Sequence, residues 1–311
     1  MQMEQCINCF NKEFSFEYSA KDRFHKLSGE FEIMKCKQCG IYYTRPQLSE
    51  KELIVYYPEN YICFKSAIDR EPSSFTRFDR QIAMFRRRKQ VEKRSRSKGK
   101  ILDVGCATGV FLNEMKNNGW ECFGVEPDGK ASQYAREQFG LPVKTGYLLD
   151  TSFPDNYFDV ISFWDVLEHI QDPSSTLQEV LRILKPGGYL FLSLPNSRSI
   201  ERSIFKAYWL GWDVPRHYRT FNSKNIKDYL LEQRFTTIKV RSFFGHHGVF
   251  MVSFSFWLND IELKENVKSV ISKIMNSLVV RILSLPLFIL LDALNLSTIM
   301  GVSAKKVNNY P

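Results

Sequence analysis

Short apolar runs begin to alternate with segments of helical periodicity near Lys98. Ile101, Leu102 and Val104 form the first run and predict a buried strand, which Val110–Asn118 follows as a helix. The other predicted strands are Glu121–Val125, Leu141–Gly146, Phe158–Trp164, Tyr189–Leu194, Thr236–Ser242 and Ser303–Val307, and the other predicted helices are Lys130–Phe139, Thr176–Leu184 and Ser223–Gln233. Lys185–Gly188 is expected as the turn that ends the helix before Tyr189. The alternation predicts an α/β fold with a doubly wound parallel sheet and an antiparallel last strand.

Two Cys-x2-Cys pairs mark the N-terminal region, namely Cys6, Cys9, Cys36 and Cys39. Each pair can present two thiolates to one ion, and four thiolates make the closed tetrahedral set of a structural zinc site. A hairpin of Glu13–Tyr18 with Glu30–Met34 is expected between the two pairs. A redox role for one pair is the alternative, but the strand and helix context of such a motif is missing.

Composition and charge limit the classes of protein that remain. A hydrophobic content of 44% over 311 residues supports a packed core and argues against disorder. The formal net charge is +9, and Arg86–Lys100 alone carries nine basic residues against one Glu. This basic run is either a solvated helix face or a contact for RNA, phosphate or an anionic membrane. No secretory signal is visible and seven cysteines favour a reducing compartment, so a cytoplasmic location is expected.

These patterns divide the chain into three regions. Residues 1–45 are predicted to form a small zinc-ribbon-like module. Residues 46–98 are predicted to form a helical, basic connector, in which Ser49-x-x-Glu52 is a capping box and Phe75–Arg96 is a long helix. Residues 99–311 are predicted to form the α/β domain, with an apolar insert at about 245–298.

The insert is rich in Leu, Ile and Phe. Arg281, Ser284, Pro286 and Asp292 interrupt its apolar runs, which makes it too broken for a spanning helix. A helical cap over a substrate cleft is the expected structure. Peripheral contact with a membrane or a homodimer face is the alternative.

The turn after the first strand of the α/β domain predicts a nucleotide site. Gly105–Gly109 contains only small residues and leads into a helix N-terminus, so a ligand can approach the backbone and its N–H groups. Asp103 lies inside the apolar strand, where a carboxylate is costly unless it is paired, either structurally or with a ligand. Glu126 ends the second strand about 20 residues later, where a ribose-binding acid is expected.

The segment Asp103–Gly109 resembles motif I of the class I S-adenosylmethionine (SAM)-dependent methyltransferases. The usual form of this motif is D-x-G-x-G-x-G. Ala107 stands in place of the middle glycine. The segments PDNYFDVISFWDVLEHIQDP and LRILKPGGYLFLSLPN resemble later motifs of the same superfamily in the right order, and the resemblance covers nearly all of Lys98–Val307. It implies a Rossmann-like sheet of seven strands.

The resemblance also implies which residues bind SAM. Motif I is expected at the methionine part of SAM, Glu126 at the ribose hydroxyls, the two residues after Glu126 at the adenine, and the loop after the third strand beside the adenine ring. The end of the fourth strand is expected near the methyl group. The full set is Asp103, Gly105, Cys106, Gly109, Glu126, Pro127, Asp128, Leu148, Leu149, Phe163 and Trp164.

Asp165-x-x-Glu168-His169 is a second candidate for chemistry. On a helical turn these three side chains share one face and can bind a hard cation such as Mg²⁺. The segment resembles the ubiquinone-biosynthesis O-methyltransferases, in which this spacing is associated with a divalent ion. Alternatively, Glu168 and His169 only anchor the loop.

The segment Trp212–Phe221 follows the fifth predicted strand, where such enzymes cover the substrate. Histidine titrates near neutral pH, so His217 is the expected base that accepts a proton from a hydroxyl, and His169 is the second candidate. Arg216 and Arg219 can hold an anionic group. Alternatively, Arg216 and His217 fasten this segment to the sheet.

The expected protein is therefore a SAM-dependent methyltransferase with a structural zinc module. Its acceptor is expected to be a small molecule, a sugar or polysaccharide precursor, or a lipid or quinone, methylated at a hydroxyl. An RNA methyltransferase with a zinc module is one alternative, in which Arg86–Lys100 contacts nucleic acid. A non-catalytic SAM-binding scaffold is the other. The expected location is cytoplasmic, with peripheral membrane contact through the apolar insert as an option.

Overall fold

Two β-sheets organise the protein in a computed structural model that describes residues 5–58, 74–95, 97–242 and 247–307. The strands are β1 (Phe14–Ala20), β2 (Phe31–Cys36), β3 (Tyr42–Arg45), β4 (Lys100–Val104), β5 (Glu121–Glu126), β6 (Val143–Thr145), β7 (Phe158–Trp164), β8 (Leu184–Pro195), β9 (Arg219–Thr220), β10 (Phe235–Ser242) and β11 (Ile299–Lys306). The helices are α1 (Glu50–Leu53), α2 (Ser74–Arg94), α3 (Val110–Asn117), α4 (Gly129–Phe139), α5 (Pro173–Ile183), α6 (Ile200–Phe205), α7 (Ser223–Glu232), α8 (His247–Asn259), α9 (Glu265–Met275) and α10 (Leu278–Ala293).

The larger sheet has seven strands in the order β10-β11-β8-β7-β4-β5-β6. The pairs β4–β5, β4–β7, β5–β6 and β7–β8 are all parallel. β11 runs antiparallel to β10, because Thr236 contacts Lys305 at one end while Ser242 contacts Ser297 at the other. The predicted α/β fold with a mostly parallel seven-stranded sheet is confirmed.

Burial explains why these runs form central strands. Ile101 and Leu102 of β4 and Val160 and Ile161 of β7 are all fully buried. Strands covered by helices on both faces carry continuous apolar runs, since neither face meets water. Asp103 and Ser162 are polar residues that interrupt these apolar runs at paired positions of β4 and β7. They mark a part of the sheet that is not explained by packing of the hydrophobic core.

The predicted turn at Lys185–Gly188 is wrong. α5 ends at Ile183 and β8 begins at Leu184, so these residues lie inside a strand. They are an irregular part of it, since the pairing with β7 shifts register between Leu184 and Tyr189 and Gly187 has φ +74°. Gly188 allows this, because a Cβ there would lie 2.9 Å from the Lys185 carbonyl oxygen and 3.0 Å from that of Asp159. The Lys185 ammonium also donates to the Asp159 carboxylate at 2.8 Å, which fastens the start of β8 to β7.

The smaller sheet has the order β1-β2-β3-β9. β1 and β2 form the predicted hairpin, antiparallel with Phe14 opposite Cys36. β3 pairs with β9, which comes from a part of the chain more than 170 residues later. The capping box at Ser49 and Glu52 is present at the start of α1, as predicted.

The chain divides into two compact units. The first comprises Met1–Tyr57, Leu194–Tyr229 and Val240–Gly301, and the second comprises Pro58–Ser193, Leu230–Lys239 and Val302–Pro311. The division predicted from the sequence, into residues 1–45, 46–98 and 99–311, stays a prediction. Residues 59–73 and 96 of the predicted connector and 245–246 of the predicted insert lie outside the described residues.

The insert forms α8, α9 and α10. Among the described residues no single helix has the length and apolarity needed to cross a membrane. α9 and α10 meet such a criterion only when they are taken together, and a bend of 60° separates them.

Candidate functional site

The loop between β4 and α3 needs its two glycines for steric reasons. Gly105 has φ +70° and Gly109 has φ +77°, in the left-handed region that favours glycine. A Cβ on Gly105 would lie 2.7 Å from a methyl group of Val166, and one on Gly109 would lie 2.8 Å from Leu141. The loop therefore lies close against its neighbours, and the α3 N-terminus follows it directly.

Asp103 lies at the carboxyl end of β4 beside Ser162 of β7. The Ser162 hydroxyl donates to the buried Asp103 carboxylate at 2.6 Å. Burial raises the pKa of Asp103 to about 7, against the opposing effect of this hydrogen bond. Ser162 was not predicted from the sequence, although a small polar residue inside the apolar run Phe158–Trp164 is a usable signal.

Glu126 lies at the end of β5 and contacts the glycine loop. Its carboxylate accepts hydrogen bonds from the backbone N–H of Ala107 at 2.8 Å and of Asp128 at 2.9 Å. Burial raises the pKa of Glu126 to about 6, and the two backbone donors oppose that shift. A carboxylate has about four lone-pair directions, so the same oxygens can also accept two ribose hydroxyls.

The remaining predicted cofactor residues have mixed environments. Asp128 accepts from Ala131 N at 2.7 Å as the N-cap of α4, so its carboxylate already has a structural role. Leu148 is buried at the start of a short 3₁₀ turn, whereas Leu149 is exposed. Pro127 is exposed between Glu126 and this cap.

Cys106, Phe163 and Trp164 are all buried. Burial raises the pKa of the Cys106 thiol well above its ordinary value, which makes it a small apolar side chain rather than a nucleophile. Neighbouring strand residues point to opposite faces, so Phe163 and Trp164 cannot both face one ligand. Phe163 is 0% exposed, while Trp164 packs edge-on against Phe111 of α3. Trp164 is therefore the better candidate of the two for contact with a ligand.

Arg87 of α2 is a residue that the sequence analysis missed. Its guanidinium donates to Asp165 at 2.9 Å and lies 5.0 Å from the centre of the Trp164 ring. Its charge also lowers the pKa of Asp103. Nothing in the sequence separates Arg87 from its eight basic neighbours in Arg86–Lys100, because its role depends on which residue it faces.

Other charges of the basic run also have acidic partners. Arg88 forms ion pairs with Glu92 at 3.0 Å and with Glu114 at 2.7 Å, and Lys89 pairs with Glu92 at 3.4 Å. These pairs neutralise part of the positive charge that favoured an RNA contact.

The predicted shared helical face of Asp165, Glu168 and His169 is wrong. Asp165 has φ +59°, and only Leu167–His169 form a short 3₁₀ turn. The Asp165 carboxylate accepts from Arg87 and, at 2.8 Å, from the Ser193 hydroxyl. Glu168 is buried and His169 is half-buried. A role for these residues in binding a divalent ion stays a prediction.

Arg216 is a structural residue, which corrects its predicted role in holding an anionic group. It is fully buried in the first unit. Its guanidinium donates to Asp22 at 2.7 Å, to Asp213 at 2.6 Å and to the Tyr56 carbonyl at 2.9 Å. These partners use its donors, so none remains for a substrate anion. Arg219 is also buried, in β9.

His217 follows Arg216 and is largely buried in the same unit. Its Nδ1 lies 2.9 Å from the Gly211 carbonyl oxygen, and its Nε2 lies 3.9 Å from the Asp213 carboxylate. A carbonyl oxygen can only accept a hydrogen bond, so Nδ1 carries the proton and Nε2 keeps a lone pair in the neutral ring. His169 belongs to the second unit.

The four N-terminal cysteines form one cluster. Their sulfur atoms all lie within 4.8 Å of one another, with Cys6 to Cys39 at 3.4 Å and Cys9 to Cys36 at 3.5 Å. The Tyr43 hydroxyl donates to Cys6 Sγ at 3.1 Å, and the Asn11 amide donates to Cys36 Sγ at 3.7 Å. A tetrahedral ion with Zn–S bonds of about 2.3 Å needs sulfur atoms about 3.8 Å apart. The donor set therefore fits a zinc ion.

A family model for the methyltransferase domain matches residues 76–240, which is more than half of the chain. The chain therefore belongs to the methyltransferase domain family, and its fold and glycine loop place it in the class I SAM-dependent methyltransferases.

Among its relatives is the ubiquinone biosynthesis O-methyltransferase of Proteus mirabilis, 35% identical over 106 residues, which are 31% of this chain and 42% of that protein. The enzyme of the same name from Yersinia pestis (strain Pestoides F) is 33% identical over 126 residues, which are 38% of this chain and 52% of that protein. The chain thus spans about half the length of these curated relatives.

Solved structures share the fold. A SAM-dependent methyltransferase from Archaeoglobus fulgidus matches with a TM-score of 0.50 at 20% identity, covering 75% of this chain and 100% of the other. One from Thermotoga maritima matches with a TM-score of 0.50 at 16% identity, covering 82% of this chain and 97% of the other.

Proposed function

We propose that the protein transfers the methyl group of SAM to a hydroxyl of a small-molecule acceptor, of the lipid or quinone class. The observation that carries this proposal is the pair of buried carboxylates, Asp103 and Glu126, at the carboxyl ends of adjacent parallel strands on either side of a glycine loop. Ligands of doubly wound sheets bind at this edge.

Each residue of this edge has a chemical task in the proposal. Glu126 accepts the two ribose hydroxyls, and the N–H groups of the first turn of α3 bind the methionine carboxylate, because most N–H groups of the loop already donate within the protein. Arg87 adds a positive charge for the same carboxylate, and Trp164 presents a ring beside Phe111. SAM, when bound, supplies a methyl group that is already activated, so the protein contributes mainly position and orientation.

The acceptor class rests on the activity for which two relatives are named and on His217. Two relatives are named ubiquinone biosynthesis O-methyltransferase, and a hydroxyl acceptor must lose a proton as its oxygen bonds to carbon. In our proposal the Nε2 lone pair of His217, oriented by the Gly211 carbonyl, takes that proton.

The metal proposals concern two places. The four cysteines hold a structural zinc ion with no open position, so they take no part in methyl transfer. Tyr43 and Asn11 orient two of the sulfur ligands through their hydrogen bonds. The second proposal is that Glu168 and His169 bind Mg²⁺. It is supported by the chemistry of their carboxylate and imidazole groups.

Calorimetric titration with SAM tests the cofactor site. Glu126→Ala should weaken SAM binding by about 10- to 100-fold, because charged hydrogen bonds to the ribose are worth roughly 1.5–3 kcal/mol. Glu121→Ala is the matched control, since Glu121 is an exposed carboxylate at the other end of the same strand. Unchanged affinity in Glu126→Ala would remove Glu126 from the site.

Turnover tests the reaction separately. Wild-type protein with SAM and a dihydroxylated aromatic probe such as a catechol should form S-adenosylhomocysteine and the O-methylated product. Tight SAM binding without product on catechol, quinol and sugar probes would instead identify a SAM-binding scaffold.

A further inference from the structure

The second half of the insert exposes an unusual amount of apolar surface. We name the two helices α9 and α10 the apolar helix pair. Twelve large aliphatic side chains of this region are exposed, namely Val267, Val270, Ile274, Leu278, Val279, Ile282, Leu283, Leu285, Leu287, Ile289, Leu290 and Leu294. Contiguous apolar patches of this kind on a protein surface mark interaction sites.

The exposed side chains of α10 cover more than half of the helix circumference. At about 100° per residue, its exposed positions span an arc of about 200°, from Leu285 round to Leu287. Every residue of this arc is apolar, whereas Arg281 and Asp292 lie outside it. The opposite side is held by Phe288, which is buried and packs edge-on against His247 and Phe250 of α8.

The width of the arc indicates what covers it. A second protein surface packs against one side of a helix, whereas fluid acyl chains and headgroups surround every side that is offered to them. An uncharged arc of this width therefore suits a lipid phase better than a second copy of the chain. A helix that lies in the plane of the membrane can immerse this arc and keep its remaining side packed on α8 through Phe288.

Charge favours an anionic surface. Residues 264–293 carry four basic side chains, Lys264, Lys268, Lys273 and Arg281, against Glu265 and Asp292. Glu265 pairs with Lys268 at 3.0 Å, and Asp292 accepts a hydrogen bond from Ser297. Lysines beside an apolar stripe can bury their aliphatic stems while the ammonium groups reach lipid phosphates.

Neither helix alone is long enough to span a membrane, and a bend of 60° separates the two. The 16 residues of α10 extend about 24 Å and the 11 residues of α9 about 17 Å, while a hydrocarbon core is about 30 Å thick. We infer that the apolar helix pair is an interfacial anchor that seats this protein on an anionic phospholipid membrane.

Flotation of the full chain with vesicles tests this inference. Wild-type protein should float with vesicles of phosphatidylcholine and phosphatidylglycerol, and less with phosphatidylcholine alone. Leu283→Lys combined with Ile289→Lys should reduce the bound fraction about tenfold or more, because both side chains lie on the arc. The matched control is Ile54→Lys combined with Val55→Lys, two equally exposed aliphatic residues outside the helix pair.

Further variants keep the test decisive. Leu285→Ser with Leu290→Ser is an uncharged alternative on the same arc, and thermal unfolding followed by circular dichroism reports that each variant is folded. Lys264→Glu with Lys273→Glu should abolish the preference for anionic vesicles. The inference is overturned if wild-type protein floats with neither vesicle or if the arc variants float like the control. A lipid-free dimer that the arc variants dissociate would also overturn it, because a second copy would then cover the arc.

Discussion

At the residue scale, Ala107 shows how the glycine loop tolerates a departure from the usual motif. Ala107 has φ +47°, where a side chain costs free energy, yet its N–H donates to Glu126 at 2.8 Å. The hydrogen bond that links the loop to Glu126 therefore forms without the middle glycine of the usual motif.

Ala107→Gly should relieve this strain. We expect the free energy of unfolding to rise by up to about 1 kcal/mol, because about 1–2 kcal/mol of left-handed strain exceeds the extra entropy of glycine in the unfolded chain. Urea denaturation measures the change. Ala131→Gly in α4 is the control and should lower stability by about 0.5–1 kcal/mol. A loss of stability in Ala107→Gly would mean that the loop is unstrained.

Glu201 is a buried carboxylate that the sequence does not single out. Neither of its carboxylate oxygens has a hydrogen-bond partner among the described residues, and it is 1% exposed. Burial, with a smaller contribution from the negative charge of Asp292, raises its pKa to about 8. In the folded protein the side chain is therefore largely protonated at neutral pH.

Glu201→Gln should make stability less dependent on pH. Between the ordinary glutamate pKa of about 4.5 and about 8, folded wild-type protein holds a proton that the unfolded chain has released, so wild-type stability falls as pH rises. The Gln variant has no such decrease in stability. The free energy of unfolding of the variant minus that of wild type should therefore increase between about pH 4.5 and pH 8, by roughly 1.4 kcal/mol per pH unit and by several kcal/mol at most. Unfolding at pH 5 and pH 8.5 measures it, with the exposed Glu262→Gln as control. A difference that is constant with pH would refute the assignment.

At the element scale, the sequence located most helices and strands because their signals are local. Apolar runs of Val, Ile and Phe gave β4, β5 and β7, and the Ser49 capping box gave α1. β8 was misjudged because Pro and Gly normally end elements, whereas β8 pairs with β7 at Leu184 and again from Tyr189, with Lys185–Gly188 as an irregularity between these points. β9 was missed because two residues carry no periodic signal.

The cysteine cluster is an element whose stability is expected to depend on metal. Cys36→Ser should reduce zinc from about one per chain to near none, because structural zinc needs all four thiolates and contributes folding free energy directly. Amide exchange in β1–β3 should then accelerate. Metal analysis and hydrogen exchange measure both effects, with the buried Cys122→Ser, outside the cluster, as control. Full zinc content in Cys36→Ser would contradict the assignment.

At the scale of the whole molecule, the chain passes repeatedly between its two units. The N-terminal sheet takes its fourth strand from Arg219–Thr220, and the buried Arg216 joins Asp22 and Tyr56 to a segment far along the chain. The segment that carries His217 is therefore built together with the N-terminal region, so the orientation of the His217 ring depends on both.

His217→Ala should lower the turnover number by about 10²–10⁴, the usual contribution of a positioned base. SAM affinity should stay unchanged, since His217 belongs to the first unit and the residues predicted to bind SAM belong to the second. The wild-type rate should fall at low pH, because a protonated imidazole cannot accept a proton, and the variant should lack that fall. Steady-state kinetics across pH with His25→Ala as control measure this. If SAM affinity collapses, His217 is structural; if the rate is untouched, His169 is the next residue to test.

The sequence by itself determined the α/β class, the glycine loop with its two acids and the four cysteines, because each depends on residues near one another in the chain or on a short motif. Only the tertiary structure decided which side chains contact the buried charged groups. Contacts between distant segments place Ser162 beside Asp103 and Arg87 beside Asp165, and they supply the carboxylate partners of Arg216. They also bury the Glu201 carboxylate, which has no hydrogen-bond partner in the part of the chain that the structure describes. Local patterns report what a segment can form, whereas burial and pairing depend on which segments meet, and only the folded chain brings them together.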